Sequence, residues 1–254
     1  MWNNLAAALT FFTRLPFYKI KLFNVHSKHY KQAINYWPMV GWLTGGVMAL
    51  CLWGASFIFP PGLAVLIALA SRLLLTGALH EDGLSDFFDG LGGGTTRQRV
   101  LEIMKDSHIG VYGVIALIIY CISLQQTLLS FPLTLAPLIV LAGDPLAKFI
   151  ASHINKVLVY ARTEQTSKAK VVYDKTTPLT YMVSFLFGIL PFGVLVYTLG
   201  LSFIFAIIAP IAVFVLIYYL LNKRIQGYTG DCCGATFLLC ELSFYLSILL
   251  LLNW

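Results

Sequence analysis

The chain has 254 residues, 59% of them hydrophobic and only 11% charged, with a mean hydropathy of +0.81 and a formal net charge of +6. A soluble domain carries charge on about a quarter of its residues, so this composition excludes one and makes a bilayer the main solvent. In such a chain the positive balance reads as loop bias rather than as a nucleic-acid surface, and membrane lipid replaces nucleic acid as the expected surrounding.

The first residues lack a basic leader and a small-residue cleavage site, and Arg14 and Pro16 interrupt them, so they are expected to form a retained short helix. Apolar runs long enough to cross a bilayer as helices follow at Tyr36–Phe59, Gly62–His80, Gly110–Phe131, Thr134–Asn155, Leu179–Leu199, Leu201–Leu221 and Gly234–Asn253. These predict an all-α, polytopic transmembrane bundle of seven spans, within a range of six to eight, forming a single integral membrane domain over 1–254. Pro60 with Pro61, Ser130 to Pro132, and Gly200 mark tight turns on one side.

The intervals 14–35, 81–109, 156–178 and 222–233 hold fifteen of the seventeen Lys and Arg residues, all but Arg72 and Lys148. Short loops rich in Lys and Arg stay in the cytoplasm, so this face is expected to be cytoplasmic, in the inner membrane of a bacterium. The fourth span, with Gly143, Asp144, Pro145 and Lys148, suits a broken or cavity-lining helix. Asp144 and Lys148, four apart, either neutralise each other or line a substrate cavity, and Arg72 points toward the same polar region. The five cysteines form no CxxC pair and read as packing residues.

Six of the eleven acidic residues fall between Glu81 and Asp106. Asp82, Asp86 and Asp89, spaced i, i+4 and i+7, project within roughly a 60° arc on a helix. Carboxylates so crowded stay ionised together only beside cations, and magnesium is the natural one because it takes oxygen ligands and shares its shell with phosphate. Glycines at 90 and 92–94 break the helix, and Thr95 or Thr96 can cap a second one carrying Glu102 and Asp106. Segment 81–109 is thus expected to be a cytoplasmic acidic helical hairpin that binds metal and phosphate, rather than a merely solvated loop. Arg97, Arg99 and Lys105 read equally as diphosphate partners or as loop cations. Metals held by aspartates at a membrane surface suit phosphoryl-group transfer to an alcohol, with one aspartate taking the nucleophile's proton.

At these residues the chain resembles cobalamin synthase, the adenosylcobinamide-GDP ribazoletransferase family. Thr13 to Pro16 match its TRLP, and His80, Asp82, Gly83, Leu84, Asp86, Asp89 and Gly90 match HxDGLxDxxDG. Leu101 to Met104, Asp106, Ser107, Gly110 and Gly113 match LEIM(R/K)DSxxGxxG, and Thr229, Gly230, Asp231, Gly234 and Ala235 match TGDxxGA. Tyr228 stands where Gln is expected, and Leu238 replaces the first Glu of an ExxE, leaving Glu241. The resemblance implies that a ribose hydroxyl of α-ribazole, or of its 5'-phosphate, attacks the cobinamide-linked phosphate of adenosylcobinamide-GDP and releases GMP. It implies Mg2+ ligands among Asp82, Asp86, Asp89, Glu102 and Asp106, with Asp82 or Asp86 as the base. Thr13, Arg14, His80, Lys105, Ser107, Asp231 and Glu241 are the implied substrate-binding residues, and a homo-oligomer is left open.

Two rival readings differ in class. A CDP-alcohol phosphotransferase would show a DGxxAR segment, but Gly83 is followed by Leu84, Ser85, Asp86 and Phe87. A transporter would place its acids at mid-bilayer, whereas most lie in segment 81–109.

Overall fold

The computed structural model describes residues 1–162, 171–174 and 176–253, and the described chain is helical, with one isolated backbone bridge between Tyr160 and Tyr228. Its helices, in order, are α1 (Trp2–Phe12), α2 (Ser27–Tyr30), α3 (Trp37–Ser56), α4 (Pro61–Thr76), α5 (Leu79–Gly93) and α6 (Arg97–Lys105). They continue with α7 (Val111–Leu129), α8 (Ala136–Ala151), α9 (Ile154–Val157), α10 (Pro178–Leu199), α11 (Ile208–Arg224) and α12 (Gly230–Leu252). Among the described residues six helical stretches are long and apolar enough to cross a membrane unaided, and α4 with α5, bent by 87°, makes up to seven. The chain is a multi-pass helical bundle, and α1 is the short N-terminal helix expected from sequence.

Helix α8 is the bundle's axis, buried along nearly its whole length and packed on α3, α10 and α12. It runs through Pro145 without breaking at Asp144 to Lys148. Gly41 and Gly45, a GxxxG pair on α3, allow the approach: a Cβ on Gly41 would stand 2.7 Å from Pro145 Cα, and one on Gly45 2.8 Å from Asp144 Cβ. By contrast, α7, α10 and α11 turn Ile115, Ile119, Leu186, Leu190, Leu216 and other large apolar side chains outward. A polytopic bundle presents such a face to lipid tails.

The second predicted span departs most from a straight crossing. Helix α4 stops at Thr76 because Gly77 (φ +67°) and Ala78 (φ +55°) are both left-handed, a conformation that glycine tolerates and alanine adopts at a cost of about 1–2 kcal/mol. The turn sends α5 back across the bundle, where it packs against α7 and α12. The acid-bearing helix is therefore largely buried against the bundle, not one arm of a hairpin standing outside it.

All four basic intervals meet at one end. Asp174 N donates to Lys31 O (2.9 Å), Arg162 to Leu101 O (2.8 Å), Ala161 N to Tyr228 O (2.8 Å) and Arg97 to Ile225 O (2.8 Å).

Candidate functional site

The site is built on the crossing of α5 and α12. A Cβ on Gly83 would lie 3.0 Å from Asp231 O, and one on Gly234 would lie 3.1 Å from His80 O. Each helix thus offers a glycine to the other's backbone, a close approach that a side chain at either position would crowd. The two glycines belong to the HxDGLxDxxDG and TGDxxGA segments, so these distant stretches form one contact. Thr229 caps α12 by accepting from Cys232 N at 3.4 Å, leaving Asp231 in the first turn, where a carboxylate complements the helix dipole.

Beside the crossing lies a cavity of about 310 Å³. Asp82, Asp231 and Arg162 supply its charged wall, and Phe11, Trp37, Tyr160 and Tyr173 its aromatic wall. Asp82 is exposed at the mouth, while His80 and Trp37 are buried at the back. The rings stack in sequence: Phe12 on Trp37 at 5.0 Å and 18°, then Trp37 on His80 at 5.6 Å and 29°. Phe11 meets Tyr173 edge to face at 6.5 Å. Of the residues expected from sequence, this cavity brings together His80, Asp82 and Asp231. Reading the motifs missed Phe11, Tyr160, Arg162 and Tyr173, because aromatic residues near a membrane surface read first as an interfacial belt.

The remaining acids are dispersed. Asp89 is buried and spans to α7, accepting from Gly110 N at 2.7 Å and Gly113 N at 2.8 Å, so it anchors that helix's first turn. Asp86 is buried a turn after Asp82. Helices α5 and α6 do pack, with Thr96 capping α6 as expected, but Gly90 and Gly94 face Val100 and Met104. Val100 and Met104 occupy the face of α6 that meets α5, which turns Glu102 and Asp106 outward. Glu102 pairs with Arg99 at 3.4 Å, and Asp106 with the His108 ring at 2.6 Å and its backbone N–H at 3.0 Å. These His108 contacts hold the Asp106 carboxyl below its ordinary value. The two acidic faces of the expected hairpin do not meet, and among the described residues no three His, Cys, Asp or Glu side chains stand together as a ready metal cage.

The intramembrane charges form a separate cluster. Arg72 donates to both Glu241 oxygens at 2.6 Å and to Tyr120 at 3.1 Å. Tyr245 donates to Glu241 at 2.9 Å, while Lys148 pairs with Asp144 and donates to Thr44 at 2.9 Å. Two cations and two anions therefore neutralise one another inside the bundle. Asp144 and Lys148 do pair, and Glu241, expected near substrate, lies in this cluster rather than in the cavity wall. Tyr228 and Leu238, the two departures from the family pattern, are both buried, Tyr228 against Tyr160 at 5.2 Å.

The other expected positions hold the surrounding segments. Thr13 accepts from Leu15 N at 3.2 Å near the end of α1, and Arg14 lies over Gly77, its backbone N–H donating to Leu75 O at 2.7 Å. Lys105 and Ser107 are exposed. Arg97 donates to the carbonyls of Ile225 and Ala161, and Arg224 to that of Leu91 at 3.1 Å, so both knit the connecting segments. Cys232, Cys233 and Cys240 are buried packing residues.

Residues 4–249 match the family model described as cobalamin-5-phosphate synthase. An adenosylcobinamide-GDP ribazoletransferase of Shewanella sp. (strain W3-18-1) is 36% identical over 246 residues, covering 96% of this chain and 92% of that protein. One of Leptospira interrogans is 32% identical, covering 97% and 95%, and one of Shewanella oneidensis is 33% identical, covering 95% and 92%. No solved structure gives a significant match.

Proposed function

Because the chain belongs to the cobalamin-5-phosphate synthase family, we propose that it transfers the cobinamide phosphate of adenosylcobinamide-GDP to α-ribazole or its 5'-phosphate, a reading supported by relatives named adenosylcobinamide-GDP ribazoletransferase. GMP leaves, and the nucleotide loop of adenosylcobalamin, or of its 5'-phosphate, is completed. One observation carries the reading: Asp82 and Asp231, from two separate motifs, line a single cavity.

In the transfer a ribose oxygen forms a bond to the cobinamide-linked phosphorus while the bond from that phosphorus to the GMP oxygen breaks. The electron pair leaves with GMP, and Asp82 takes the hydroxyl proton. Arg162 is the cation in the cavity wall that complements the diphosphate. His80, fixed between Trp37 and Phe237, shapes the back of the cavity.

The carboxylates suit magnesium in one specific sense. That ion is usually bound by one or two carboxylates and completes its shell with water and substrate phosphate, so Asp82 and Asp231 would hold it, with Asp86 behind them. Once bound, it would polarise the attacked phosphate and offset charge on the leaving oxygen. The cavity's charged wall belongs to the basic end of the bundle, which the positive-inside rule assigns to the cytoplasm.

Full-length protein in nanodiscs, given adenosylcobinamide-GDP and α-ribazole, is expected to release GMP. Asp82→Ala should lower the rate by more than about a hundredfold, as for loss of a general base, without altering the melting profile. No GMP from the wild type, or near-normal turnover by the variant, would overturn the activity or the role of Asp82 respectively. Release of CMP from a CDP-alcohol would favour a phospholipid-synthesising transferase.

A further inference from the structure

The reaction joins two substrates of very different size, and the cavity discriminates between them. At about 310 Å³ it lies at the small end of the range for ligand pockets, roughly 300–1,000 Å³. A nucleoside fills such a volume, whereas a corrinoid ring with its guanosine diphosphate far exceeds it.

The lining narrows the choice further. Away from Asp82, Asp231 and Arg162, which form the charged side, the walls are mainly Phe11, Phe12, Leu79 and Val171, with Trp37 and Tyr173. A guanine brings two donor groups and a carbonyl acceptor, and each left unpaired in such a wall costs about 1–3 kcal/mol. A dimethylbenzimidazole brings two aromatic rings, two methyl groups and one acceptor nitrogen. Among the described residues, Trp37 Nε1 and His80 Nε2 are buried without a hydrogen-bond partner, although both residues line this cavity. An indole N–H can only donate, so Trp37 offers one donor for one acceptor.

Resting on the activity proposed above, we infer that this cavity is the seat of the ribazole acceptor. Its base packs against the wall formed by Phe11 and Tyr173 and accepts a hydrogen bond from Trp37, its ribose reaches Asp82, and the corrinoid donor touches only the charged rim. Selectivity for the lower base therefore resides in Phe11, Trp37 and Tyr173.

The test is calorimetric binding to full-length protein in nanodiscs, which is independent of turnover. The probes are α-ribazole and its dimethylindole counterpart, which lacks the acceptor nitrogen, with adenosylcobinamide-GDP as the reference ligand. Wild-type protein should prefer α-ribazole by about fivefold, the scale of one net hydrogen bond, and Trp37→Phe should erase that preference. Phe11→Ala should weaken both ribosides by about tenfold, as for a lost stacking contact, and leave the corrinoid donor within about twofold. Equal wild-type affinity for the two ribosides would overturn the Trp37 contact without requiring any variant to fold. Weakening confined to adenosylcobinamide-GDP would reassign the cavity to guanine. Wild-type binding as expected but without GMP release would fail the activity reading and leave the seat standing.

Discussion

Arg72 on α4 and Glu241 on α12 meet at 2.6 Å inside the bundle, with side-chain exposures of 3% and 0%. Neither charge has access to water, so each is tolerable only because the other is present, and Tyr120 and Tyr245 satisfy further polar atoms of the pair. Arg72→Met should strand Glu241 and lower stability by about 3–5 kcal/mol. The double replacement Arg72→Met with Glu241→Leu should recover much of that loss. Thermal unfolding in one detergent reads both, and a single variant as stable as the double would contradict the pairing.

The crossing of α5 and α12 makes a second prediction. A side chain at Gly234 meets His80 backbone at 3.1 Å and must push the helices apart. Gly234→Leu should therefore cost about 1–3 kcal/mol as an overpacked contact. By separating Asp82 from Asp231 it should also cut GMP release far more than its stability loss explains. Gly46→Ala on α3, where nothing lies within 4 Å of the added methyl, is the control and should change neither quantity. Equal behaviour of the two variants would remove the crossing from the site's architecture.

The contrast between these contacts shows which parts of the molecule were legible in one dimension. Span count, the clustering of basic intervals and the Thr96 cap follow from local composition and spacing, because membrane insertion and capping act on contiguous residues. The partner of Arg72 did not: Glu241 was visible as an acid near a motif, but its pairing depends on how two helices cross. The acidic stretch was misplaced for a related reason. Its polarity suggests a helical hairpin outside the bundle, whereas the left-handed pair Gly77 and Ala78 turns it across the bundle. There Asp89 is engaged by Gly110 and Gly113. Asp82 and Asp231 were both legible as candidates, but their sharing of one cavity was not, since that follows from the Gly83 and Gly234 contact. Gly41 and Gly45 form a GxxxG pair that could have flagged the α3 and α8 approach in advance.

Asp106 and His108 give a pH-dependent prediction of known sign. Donation from the His108 backbone and ring holds the Asp106 carboxyl below its ordinary value of 3.8. A depressed carboxyl favours the folded loop above that ordinary value, and the contribution disappears as pH falls through the lower folded value. His108→Ala should therefore move the Asp106 titration upward in carbon-13 NMR. The pair is solvent-exposed and screened, so melting temperature between about pH 5 and pH 8 should not respond. The backbone N–H survives this substitution, so an unmoved Asp106 titration would show that the His108 ring adds nothing to the backbone contact.

The carboxylates at the cavity and those outside it should separate in their dependence on magnesium. Asp231 lines the cavity with Asp82, whereas Glu102 is on the exposed face of α6 beside Arg99. If Asp82 and Asp231 hold the ion, Asp231→Asn removes one of its two charged protein ligands. The magnesium concentration for half-maximal GMP release should then rise by about tenfold or more, on the scale of losing a charge-assisted contact. Glu102→Gln leaves that inner pair intact and should shift the concentration by less than about twofold. Exhaustive chelation should silence the wild type, and added magnesium should restore it. A larger shift for Glu102→Gln than for Asp231→Asn would move the ion out of the cavity to the rim, and full activity after chelation would remove it from the reaction.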